Sequence, residues 1–81
     1  MRLDKFLKVS RVIKRRTVAG NACKAGRVLV NGRDAKPGKQ IAEGDEITIE
    51  FGSGALKVRV RELRESVPKD EAASMYEVIE G

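Results

Sequence analysis

The sequence predicts an α+β domain: two short helices packed on a small antiparallel sheet, with a short C-terminal tail. Three observations carry this. Apolar residues recur at helical spacing only within the first 25 positions. Two alternating strand patterns lie downstream, at "ITIEF" and "LKVRVREL". The Asn31-Gly32 pair between them and the N-terminus is a strong short hairpin signal. At 81 residues the chain is one domain with a modest core.

Each element has its own cause. Leu3, Phe6, Leu7 and Ser10 share one helical face, with Asp4 and Lys8 spaced as an i,i+4 pair, so a first helix is expected over 3–10. Residues 11–14 connect. A second helix is expected over 15–25, with Val18, Ala22 and Ala25 on one apolar line, Ala19 and Cys23 beside it, and Gly26 at the position after its end. Gly20 and Asn21 are weak helix formers inside it. Val28 and Val30 point to one face of a strand that ends at Asn31-Gly32. "KPGKQIAEGDE" reads as a loop. The later hairpin turns through "GSGA", with Ile47, Ile49, Phe51, Leu56, Val58 and Val60 inward. Across a four-residue loop, Glu50 would face Lys57, Thr48 would face Arg59 and Glu46 would face Arg61. Pro68 opens a last segment, one short helix and a ragged end. The expected division is a domain over 1–65 and a tail over 66–81.

Charge is segregated along the chain. Residues 1–40 hold 12 Lys and Arg against two acids, Asp4 and Asp34; residues 41–81 hold 5 against 10. An ordinary surface intersperses both signs, so the basic half points to a polyanion. Lys57 and Arg61 have acids available across the sheet. The N-terminal cations do not: Arg2, Lys5, Lys8, Arg11, Lys14, Arg15, Arg16, Lys24 and Arg27 share one nearby acid, Asp4, which is spaced to pair with Lys8. These nine are the candidate RNA-binding residues. Lys14-Arg15-Arg16 crowds the start of the second helix, where the dipole disfavours cations but free N–H groups favour an anion such as phosphate.

Several classes are excluded or disfavoured. There is no histidine, and the lone Cys23 lacks a base and lies on an inner helix line, so a structural thiol and a non-enzyme are expected, with no metal and no cofactor. No apolar run approaches the roughly 18 residues of a membrane span, and no secretory leader opens the chain, so a cytoplasmic protein with no membrane partner is expected. The aromatics are Phe6, Phe51 and Tyr76, and the first two fall on apolar faces. With so few stacking platforms, a folded or double-stranded RNA backbone is a better target than splayed bases.

"MRLDKFLKVSRVIKRRTVAGNACKAGRVLVNG" and the later "GDEITIEF" resemble the RNA-binding domain of the small-subunit ribosomal protein four type, the alpha-L motif. The resemblance implies two helices on a bent antiparallel sheet, with RNA bound across the helices. The short chain and its tail, "KDEAASMYEVI", are similar to the bacterial ribosome-quality-control group of RqcP (YabO) type, related to heat-shock protein fifteen. That group's function implies binding of a stalled large ribosomal subunit, with contacts to large-subunit rRNA and P-site peptidyl-tRNA. It also implies support of RqcH in adding C-terminal alanine tails. Carried over by matching motifs, Arg2 and Arg16 correspond to RNA-contacting arginines, with Asp4 and Lys5 as weaker candidates. A monomer is expected. The alternative function is ribosome assembly or heat-shock rRNA binding without a tailing role.

Overall fold

The structure is a computed structural model covering residues 1–81. Helices α1 (Leu3–Val9) and α2 (Arg16–Lys24) come first, within a residue of the expected bounds at each end. Strands β1 (Val28–Val30), β2 (Arg33–Asp34), β3 (Glu46–Phe51) and β4 (Gly54–Val60) follow, then a 3₁₀ helix (Lys69–Met75) and β5 (Tyr76–Glu80). All strand pairs are antiparallel, in the order β2-β1-β3-β4-β5.

The core fills the space between the helices and one sheet face. Leu3, Phe6 and Leu7 of α1 are fully buried, and Ala19 and Cys23 of α2 meet Val28, Ile47, Ile49, Val58 and Val60 there. Each large apolar side chain buried this way contributes about 1.5–3 kcal/mol. The inner line of α2 is therefore Ala19–Cys23, with Ala22 half-buried; Val18, expected inward, is 50% exposed. Two small residues one turn apart suit close approach to α1, and that packing rotates the bulkier Val18 outward.

Backbone geometry explains the ends and turns. Gly26 ends α2 at φ 75°, its N–H donating to the Cys23 carbonyl while the Arg27 N–H donates to Ala22. This is the double hydrogen-bonded helix stop in which glycine is favoured. Asn31 and Gly32 both have positive φ, as a tight hairpin turn requires. The Asn31 side chain also accepts from the Glu46 N–H and donates to Asp45, tying the β1–β2 turn to β3.

The β3–β4 register differs from the expected one. Gly54 pairs with Phe51, leaving a two-residue turn, so Glu46 faces Arg59 and Thr48 faces Lys57. A two-residue slip preserves which face each side chain occupies but exchanges its partners. Ile47, Ile49, Val58 and Val60 are buried as expected; Phe51, at the hairpin tip beyond the core, is 51% exposed. Glu46 pairs with both Lys57 and Arg59, and Arg59 reaches Glu77 as well, while Arg61 makes no ion pair. The last segment is more ordered than the expected ragged end. Met75 is fully buried in the core, and β5 pairs with β4 through a register shift at Lys57/Val58.

Candidate nucleic-acid interface

The N-terminus is fixed by residues 37–41. The Leu3 N–H donates to the Lys39 carbonyl (2.8 Å), the Asp4 N–H to Pro37 (3.1 Å), and the Ile41 N–H to Met1 (3.0 Å). The Phe6 N–H donates to Arg2 and the Lys5 N–H to the Asp4 carboxylate, so the first turn of α1 has no free donor left. The start of α2 differs. Arg15 caps it with backbone only, and the N–H groups of Arg16, Thr17 and Val18 have no protein acceptor. Those donors and the positive helix end remain open to an anion.

Asp4 joins the two helix starts. Its side chain is 9% exposed and takes Arg2 Nε at 3.1 Å and Arg16 Nε at 3.4 Å, with a further hydrogen bond from Arg2 Nη2 at 3.2 Å. Burial pushes the Asp4 carboxyl up, but hydrogen bonds and charge from Arg2 and Arg16 outweigh it and hold the pKa below its ordinary value. The expected Asp4–Lys8 pair does not form: the carboxylate turns back toward the two guanidiniums, and Lys8 stands exposed. Both arginines keep about half their side-chain surface open, at 49% and 47%. They line a groove with Thr17, Gly20, Asn21, Lys24 and the Pro37–Gly38 turn, with no aliphatic or aromatic hydrophobic side chain in its wall. Gly38 lies against the Arg2 guanidinium, where even an added Cβ would sit 3.7 Å from its central carbon. At Gly20 nothing lies within 4 Å of such a Cβ, so the groove wall there is bare backbone.

The nine candidate cations thus fall into three sets. Arg2, Arg16 and Lys24 share the groove. Lys8, Arg11 and Lys14 line a smaller depression with Glu65, Ser66 and Val67, and Lys5 is drawn to Glu65 in an ion pair. Arg15 and Arg27 are exposed on neither surface's lining; Arg27 serves the sheet through its carbonyl, which accepts from the Glu50 N–H. From sequence Asp4 is only a weak candidate, because its link to two arginines 2 and 12 positions away has no periodic signature. Cys23 is buried, and burial first, then the Asp4 charge, push its thiol up. That is the opposite of what a nucleophile needs. No group of His, Cys, Asp and Glu is placed to hold a metal, and no helix is long and apolar enough to cross a membrane.

Comparison with known proteins identifies the family and the fold. The model of the S4 domain matches residues 1–47. The RQC P-site tRNA stabilizing factor of Halalkalibacterium halodurans is 54% identical over 96% of this chain and 89% of its own length. The factor of the same name from Bacillus subtilis is 49% identical over 98% of this chain and 92% of its own. The trimeric structure of Vibrio cholerae Heat Shock Protein 15 superposes with a TM-score of 0.89 at 32% identity, over 96% of this chain and 80% of that one. With more than half its length matched by the family model and near-complete overlap with these relatives, the chain belongs to the S4-domain family and, within it, to the family of RQC P-site tRNA stabilizing factors.

Proposed function

We propose that this protein is a non-enzymatic RNA-binding factor of bacterial ribosome-associated quality control. It binds the stalled large ribosomal subunit carrying peptidyl-tRNA, contacts an rRNA helix and the P-site tRNA through their backbones, and supports C-terminal alanine tailing by RqcH. The observation that carries this reading is the convergence of Arg2 and Arg16 on Asp4, beside the open N–H groups of α2. Two guanidiniums held by one carboxylate present their remaining donors outward, matched to phosphate oxygens. The family membership supplies the ribosomal setting.

Sedimentation tests it. The protein should co-sediment with large subunits bearing peptidyl-tRNA and not with mature ribosomes, and its removal should shorten alanine tails made by RqcH. Association with small subunits or precursor particles, with tailing unchanged, would replace this reading with an assembly or heat-shock role.

A further inference from the structure

A second set of cations lies beyond the Arg2–Arg16 groove. Arg33 on β2, and Lys36 and Lys39 in the turn after it, are all exposed, and none forms an ion pair. They line an open groove floored by Val30 and Ala35, which are themselves buried in the core. This groove meets the first one at Gly38, which lines both. Between them, a depression brings Lys24, a residue of the first groove, together with Lys36, a residue of the second. Cations therefore follow one another from Arg2 and Lys24, around the Pro37–Gly38 turn, to Lys36 and Lys39, and they outnumber the one carboxylate set among them beyond the first groove, Asp34, which lines both the second groove and the depression.

On β4 and the C-terminal segment after it, by contrast, Lys57, Arg59 and Arg64 are neutralised by Glu46, Glu77, Glu62 or Glu71, which leaves Arg61 and Lys69 as the unpaired cations there. A cation on an exposed edge strand can also serve to block strand pairing, which would account for Arg33. It does not account for Lys36 and Lys39, which lie outside any strand. The groove presents no protruding apolar or aromatic anchor, so neither base stacking nor a hydrophobic partner is favoured. Its chemistry suits a regular array of phosphates.

We propose that Arg33, Lys36 and Lys39 form a second phosphate track, which takes a stretch of structured-RNA backbone next to the one held at Arg2 and Arg16. The footprint then wraps around the Pro37–Gly38 turn from the helices onto the β1–β2 hairpin. This rests on the RNA-binding reading above.

The test is the salt dependence of binding by the full chain to unfractionated tRNA and to a perfect RNA hairpin, between 50 and 200 mM salt. Removing one phosphate contact makes the log–log slope shallower by roughly 0.7–0.9. The combined variant Arg33→Gln, Lys36→Gln, Lys39→Gln should melt like the parent, bind at least about tenfold more weakly and lose about two from the slope. Arg33→Lys, Lys36→Arg, Lys39→Arg should restore the slope. An Arg2→Gln, Arg16→Gln variant should keep a reduced slope that the three Gln substitutions then remove. A triple Gln variant with the parent's affinity and slope, alongside weakened Arg2→Gln, Arg16→Gln, would overturn the second track and leave RNA binding standing. A parent that binds neither RNA would overturn both.

Discussion

Asp4 Oδ2 lies 3.4 Å from Arg16 Nε, so a carboxylate in the first turn of α1 is anchored to the first residue of α2. The same carboxylate holds Arg2. Counting charges alone, Asp4→Asn should strengthen RNA binding, because it removes a negative charge from a basic surface. The geometry predicts the reverse: without the carboxylate the two guanidiniums lose their fixed orientation. We expect about tenfold weaker binding to large subunits, equivalent to about 1.4 kcal/mol of lost preorganisation. Titration of labelled protein against large subunits checks this, and tighter binding by Asp4→Asn would refute the positioning role.

The same ion pairs make stability depend on pH. The folded Asp4 carboxyl titrates below its ordinary value of 3.8, so its ionised form binds protons less readily in the folded chain than in the unfolded one. Its stabilisation is fully present above the ordinary value and is lost as pH falls through the lower, folded value. Glu46 and Glu65, also lowered by their cation partners, act in the same direction. Melting of parent and Asp4→Asn in parallel isolates the Asp4 contribution. The gap between the two should hold steady above about pH 5 and close below the ordinary value; a gap independent of pH would contradict this.

The contrast between the two helix ends yields a third expectation. Gly26 follows α2 at φ 75°, and Arg11 occupies the equivalent place after α1 at φ 63°, its N–H donating to the Lys8 carbonyl at 3.0 Å. Left-handed backbone costs a non-glycine residue roughly 1 kcal/mol. Arg11→Gly should therefore raise the melting temperature by about 4–8 °C per kcal/mol recovered, while weakening salt-sensitive RNA binding. Unchanged binding would show that the Arg11 side chain takes no part in the RNA contact.

Helices and turns were legible because their signals are local. The Leu3, Phe6, Leu7 spacing, Gly26 and Asn31-Gly32 each specify geometry within a few residues. The β3–β4 partners were not, because Gly52, Ser53 and Gly54 permit either a two- or a four-residue turn, and both place the same residues inward. Strand β5 was hidden for a related reason. Val78 is 56% exposed and Ile79 half-buried, so "YEVIE" lacks clean alternation, and only the facing Arg59–Glu77 pair betrays it. The cations themselves were readable, but not their grouping, which depends on how residues 37–41 fold back onto residues 1–4.

Cys23 separates structure from binding. It is 5% exposed between α2 and the core, so Cys23→Ala should cost about 1 kcal/mol through poorer packing, and Cys23→Ser more, because it buries a hydroxyl. Neither should change RNA affinity once folded. Loss of binding at unchanged melting temperature would give the thiol a role at the interface that its burial argues against.

The central measurement is Arg16→Ala, assayed by co-sedimentation with large subunits carrying peptidyl-tRNA and by thermal melting of the same preparation. Alanine removes a cation from the positive end of α2 but also removes an ion pair from Asp4, so the two effects on stability nearly cancel and melting should move by only a few degrees, within about 1 kcal/mol. The expected result is near-normal melting with sedimentation greatly reduced, and only partly restored in Arg16→Lys, whose ammonium cannot fork onto two phosphate oxygens. Normal melting with normal sedimentation of Arg16→Ala would contradict an RNA site built on the Arg2–Asp4–Arg16 junction.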